Sequence, residues 1–97
     1  MRNQSATAHE LARVGELAGV PGEVLARLGE RMTRTEVASG GRVGGEGLYS
    51  AVLAGMLRGP SGLLRPGDTF SGTASAVTPA TVASCDRAVY DELISAR

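Results

Sequence analysis

The spacing of apolar residues changes character near Thr35. Before it, Leu11, Val14, Leu17 and Ala18 recur at helical spacing with Glu10, Arg13 and Glu16 on the other face, which predicts a first helix. Gly19-Val20-Pro21-Gly22 breaks it. Pro21, whose fixed φ suits a first helical turn, opens a second helix that turns Val24, Leu25, Leu28 and Met32 inward and leaves Arg27, Glu30 and Arg31 toward water. After Thr35 the helical period disappears and short apolar runs are punctuated by glycine-rich turns. Thr35 to Ala38, Arg42-Val43, Leu48 to Ala54, Met56 to Arg58, Leu63-Leu64, Thr81 to Ala83 and Ala88 to Tyr90 read as extended segments. The breaks between them include Ser39-Gly40-Gly41, Gly44-Gly45-Glu46-Gly47, Gly59-Pro60-Ser61-Gly62 and Arg65-Pro66-Gly67-Asp68. Asp91-Glu92-Leu93-Ile94 predicts a closing helical turn. Met1 to Ala8 is polar and aperiodic and is expected to fray, leaving residues 9–97 as one domain. The expected architecture is a mainly β chain, a compact β-roll with helices at both ends.

Composition narrows the chemistry. Of 97 residues none is Trp, one is Phe and two are Tyr, so the core must be packed from small aliphatic side chains. Ten basic residues balance ten acidic ones, which leaves no excess of positive charge for phosphates, and nucleic acid is not an expected partner. Every internal cation is an Arg and none a Lys, a usage that reads as coding bias, although Arg suits bidentate anion contacts. Cys85 is the lone cysteine, which excludes an intramolecular disulfide and a cysteine metal cluster and points to a reducing compartment. No apolar run is long enough for a membrane span and the first residues lack a secretion signal, so the expected location is the cytoplasm, with no membrane partner.

His9 is the only histidine, and a metal site built from several His and carboxylate ligands is excluded with it. The same lack leaves Ser39, Ser61 and Ser75 without a base for nucleophilic catalysis. The run Gly44-Gly45-Glu46-Gly47 is followed by no Lys-Ser/Thr pair and reads as a tight turn rather than a phosphate loop. Cys85 reads as a buried small hydrophobe, and Asp91-Glu92 as a solvated helical turn rather than an acid/base dyad. No catalytic residue, cofactor or metal is expected, and the chain is read as a non-enzyme.

The order of the segments resembles one family, the cyclic nucleotide-binding domains of catabolite-activator-type regulators and kinase regulatory subunits. Leu17 to Leu28 is similar to the family's opening helices, Val37 to Val43 to its first hairpin, and Glu46-Gly47 to its "EG" turn. Leu48 to Leu57 resembles the strand written "lYvvlsGrl", and Leu64-Arg65-Pro66-Gly67-Asp68-Thr69-Phe70 the "l.pGd.fG" entry to the ligand loop. Thr81 to Val89 resembles the closing "ATV.A..D..v". The resemblance runs from about Leu17 to Ile94 and implies the double-stranded β-helix, or jelly-roll-like β-roll, of that family.

It also implies a ligand site, and there the match fails. The family holds a cyclic phosphate with an Arg and backbone amides and the ribose with a Glu, in a cassette between the Phe-Gly turn and the closing strand. The corresponding residues here, Ser71 to Ala80, contain neither Arg nor Glu. Each lost charge-assisted bond is worth about 1.5–3 kcal/mol, so cAMP and cGMP are not expected ligands. A vestigial cassette is placed at Phe70, Ser71, Gly72, Thr73, Ala74, Ser75, Thr78 and Thr81, either as a weak anion pocket or as a shortened loop crossing the roll. With the sequence ending at Arg97, no counterpart is expected of the lid helix that follows the roll in the family. Leu11, Val14, Leu17, Leu93 and Ile94 are accordingly expected to form an apolar interface, with a protein partner or a second copy as a homodimer. The functional expectation is a degenerate member acting as an interaction or assembly module; the alternative is a sensor domain with an altered small ligand.

Overall fold

The computed structural model describes residues 8–95. The frayed segment expected for Met1 to Ala8 lies outside them apart from Ala8, which opens a short helix α1, Ala8–Leu11. A turn of 3-10 helix, Gly15–Leu17, and helix α2, Gly22–Glu30, follow. Six strands come next: β1 Thr33–Val37, β2 Arg42–Ala54, β3 Leu57–Gly59, β4 Gly62–Leu64, β5 Thr69–Ala76 and β6 Ala80–Asp86. Helix α3, Arg87–Tyr90, runs on into a wider π turn, Asp91–Ser95. The strands form one antiparallel sheet in the order β1-β6-β2-β5-β3-β4, curled into a roll.

Alternation along the strands sorts the apolar residues into two cores. Inside the roll lie Val43, Val52, Leu57, Ala74, Ala80 and Val82, with Val37, Leu64 and Phe70 packed against them. On the opposite face Tyr49, Ala51, Ala83 and Cys85 meet the helices through Leu11, Val14, Leu17, Leu25, Leu28, Met32 and Tyr90. Long β2 serves both, and this is possible because it pairs with β5 and β6 at once. A bulge between Gly45 and Tyr49 joins what read as two separate extended segments into one strand.

Three expectations are corrected. The first helix is not continuous: Gly15 donates its amide to Gly67 O at 3.1 Å, which ties the chain to the Arg65–Asp68 turn, and the helical path breaks there. Leu11, Val14 and Leu17 are nonetheless buried as the spacing requires, whereas Ala18 is exposed. Ala88 to Tyr90, expected as strand, is helix. Val89 and Tyr90 repeat four residues on as Leu93 and Ile94, a helical period, and Arg87 bridges Asp91 at 3.3 Å across that same spacing. Thr69 to Ala76, in which no strand was expected, is a full strand of the roll.

Candidate functional site

The residues from Phe70 to Thr81 are the natural place to look for a ligand, and β5 decides what they can do. Polar Thr69, Ser71, Thr73 and Ser75 alternate with Phe70, Gly72, Ala74 and Ala76, a period of two that suits a half-buried strand. Phe70, Ala74 and Ala76 accordingly turn into the roll, and the hydroxyl residues turn outward. Val43, Gly44 and Gly45 of β2 oppose Ala74, Thr73 and Gly72, so the segment is held as a ladder rather than a loop. A loop crossing the roll is therefore not what the chain forms here.

The turn after β5 leaves no amides for an anion. Ala76 N donates to Gly41 O at 2.8 Å, and Val77 N and Thr78 N donate to Met56 O at 2.8 and 3.2 Å. The Thr78 hydroxyl accepts from Met56 N at 3.1 Å, so it fastens the turn to the β2–β3 connection. Helix N-termini bind phosphate because their first amides are unpaired. Here the equivalent amides are spent on the roll itself.

Nor do the expected site residues converge. Phe70 and Ser71 line a shallow cleft of about 300 Å³ with Gly59, Pro60, Ser61 and Leu64. Thr81 lines a separate one of about 360 Å³ with Glu36, Val37 and Pro79, and Thr73, Ala74 and Ser75 line neither. The expected interface residues fare differently. Leu11, Val14 and Leu17 are 0%, 1% and 0% exposed, which removes them from any surface. Their physical destination is the sheet: with few aromatics, the outer face of β2 and β6 needs the aliphatic side chains of the N-terminal segment to cover it. Leu93 and Ile94 are half-buried against the same core.

Two polar arrangements were not foreseen. Glu16 gathers three hydroxyl donors: Tyr49 at 3.3 Å and Tyr90 at 3.4 Å on one carboxylate oxygen, and Thr69 at 3.0 Å on the other. The two tyrosine rings are stacked with centroids 3.9 Å apart, and the Arg87 guanidinium lies 5.1 Å from the Tyr90 ring centre. Burial, reinforced by the Glu16 charge, raises both phenols above their ordinary range. This cluster fastens the helical layer to β2 and β5. Cys85 lies in the same layer, and burial, with Asp86 adding to it, raises its thiol above the usual value, so it is a packing residue rather than a nucleophile.

The second arrangement is a cross-strand row. Ser75 of β5 is directly opposite Arg42 of β2 on one side and Arg58 of β3 on the other, and Arg58 is in turn opposite Leu63 of β4. Paired residues share a face of a sheet, so Arg42, Ser75, Arg58 and Leu63 stand side by side on the outside of the roll. The polar alternation of β5 puts Ser75 on the outer face, and the register of the three strands decides which residues stand beside it.

Among the described residues no group of three His, Cys, Asp or Glu side chains is placed to hold a metal ion, and no helix is long and apolar enough to cross a membrane.

No family model matches the chain, and no curated protein resembles it. Solved structures do. A cAMP-bound PfPKA-R is 15% identical with a TM-score of 0.75, over 92% of this chain and 39% of that one. The regulatory subunit of a cAMP-independent protein kinase A from Trypanosoma cruzi, bound to guanosine, is 17% identical with a TM-score of 0.71, over 90% and 40%. A cyclic nucleotide-binding-like protein from Brucella abortus is 18% identical with a TM-score of 0.63, over 91% and 97%. This chain therefore spans about two fifths of the length of the kinase regulatory structures and nearly all of the bacterial one. Its fold is the β-roll of the cyclic nucleotide-binding domains.

Proposed function

We propose that this chain, built on the cyclic nucleotide-binding fold, is a non-enzymatic module that no longer takes a cyclic nucleotide and works by binding another protein surface. The observation that carries the reading is β5. Where a phosphate cassette would need free amides, an Arg and a Glu, the chain has a paired strand, a turn whose amides bond to Gly41 and Met56, and neither charged side chain. A cyclic phosphate placed there would lose its hydration and gain no charged partner.

The interaction half of the reading is supported by the surface. Leu63 and Val77 are 45% and 42% exposed, on β4 and on the β5–β6 turn, and Arg42 and Arg58, which form no ion pair among the described residues, lie on the same side of the roll as Leu63. Arginine beside an exposed apolar side chain is a common composition for a protein contact. No observation singles out an altered small ligand.

Titration calorimetry with cAMP and cGMP tests the first half: no saturable heat is expected up to about 1 mM nucleotide, and a dissociation constant in the low micromolar range or tighter would overturn it. Light scattering at high micromolar chain concentration, together with pull-down from a lysate of the source organism, tests the second. A strict monomer that recovers no partner would remove it.

A further inference from the structure

The row Arg42–Ser75–Arg58–Leu63 has a definite chemistry. Neighbouring strands are about 4.8 Å apart, so the two arginine Cα atoms are roughly 10 Å apart with a serine hydroxyl between them. Strands β3, β4 and β5 contribute no acidic residue at all. On β2 the nearest acid is Glu46, four positions along from Arg42, or about 13 Å in an extended strand. The ion pairs among the described residues are Arg34–Glu10 and Arg87–Asp91, and neither Arg42 nor Arg58 belongs to one. Both are exposed, as are Ser71 and Thr73 further along the same face of β5. The chain carries no net charge, so two cations that belong to no ion pair among the described residues, on strands β3 to β5 and the start of β2 that bring no acid, are a local asymmetry and not a reflection of a basic protein.

We infer that this face is a docking surface for an extended acidic segment of a partner protein, whose carboxylates pair with Arg42 and Arg58 while an adjacent apolar side chain packs on Leu63. The inference rests on the reading of the domain as an interaction module and names the chemistry of its partner. Charge complementarity selects the occupant: the hollow of about 370 Å³ beside Arg42 is otherwise lined by Thr33, Thr35, Val43, Gly44, Leu48 and Ser84 and brings no second cation to a small ion, whereas two guanidinium forks on either side of Ser75 suit acids spaced along a chain. Ser75 supplies a hydroxyl donor between them.

The test uses the full chain and fluorescein-labelled peptides of alternating Glu and Leu, with Gln-Leu and Lys-Leu peptides as controls, read by fluorescence polarisation and by amide shifts in a titration. Saturable binding of the Glu-Leu peptide alone is expected, weakening as salt is added, with shifts at Arg42, Arg58, Leu63 and Ser75. The double variant Arg42→Gln and Arg58→Gln should bind roughly tenfold more weakly. A double variant Arg27→Gln and Arg31→Gln, on and just after α2, should bind as the parent does. Absence of binding, shifts centred elsewhere, or equal loss in the two double variants would overturn the inference. So would two further results: a dimer that the Arg42/Arg58 variant dissolves, which gives the face to a second copy, or inorganic phosphate reproducing the shifts while the peptide gives none. Each leaves the cyclic nucleotide result untouched, so failure here and failure of the functional reading are separable.

Discussion

Replacing Gly44 by Ala should destabilise the roll far more than replacing Gly47, although both glycines sit in the same strand with positive φ, 89° and 79°. An L residue in that region costs about 1–2 kcal/mol, and this term is common to the two. The surroundings are not. A Cβ at Gly47 meets nothing within 4 Å, whereas one at Gly44 overlaps the Gly72 carbonyl oxygen and comes within 2.9 Å of the Phe70 ring. The ring can tilt, but Gly72 is opposite Gly45 in the β2–β5 ladder and its carbonyl cannot move without opening the register. Overpacking of that kind costs about 1–3 kcal/mol more, giving about 2–5 kcal/mol for Gly44→Ala. For a domain of this size each kcal/mol lowers Tm by about 4–8 °C, so the two variants should melt roughly 5–20 °C apart. Urea denaturation and thermal melting followed by circular dichroism measure it. Equal losses would refute the argument that close approach of β2 and β5, rather than turn geometry alone, demands glycine at position 44.

Leu17→Ala should cost about 2–5 kcal/mol in urea denaturation and leave light scattering unchanged, because Leu17 is core and not interface. Tyr49 and Tyr90 should make stability fall in alkali: burial favours their neutral forms in the folded state, so the unfolded chain ionises first. Their contribution is intact below about pH 10 and is lost above it, and Tyr49→Phe should flatten that part of a Tm-against-pH curve. Cys85 should resist a thiol reagent at mildly alkaline pH in native chain and react fully once the chain is unfolded.

Much of this fold follows from periodicity alone. The spacing of Leu25 and Leu28 with Pro21 before them places α2, because a helix with one buried face repeats its apolar residues at its own period, and the short, nearly unbroken apolar run Leu48 to Ala54, bounded by glycines, places the second half of β2, which is buried on both faces. The strand at Thr69–Ala76 carried a plain alternation, but a strand and a ligand loop built of the same small residues differ only in whether their amides find partners, and those partners are Arg42 to Gly45, some thirty positions away. The same holds for Leu11, Val14 and Leu17. Local pattern put them on one face, and only the sheet, brought against that face by the Gly15–Gly67 bond and the Glu16 cluster, made it interior rather than surface. The arginine row is the extreme case: Arg42, Arg58 and Ser75 have no relation in the linear chain, and it is the register of three strands that sets them side by side. Local periods are determined by neighbours in sequence; faces, pairings and sites are determined by which distant strand satisfies each hydrogen bond.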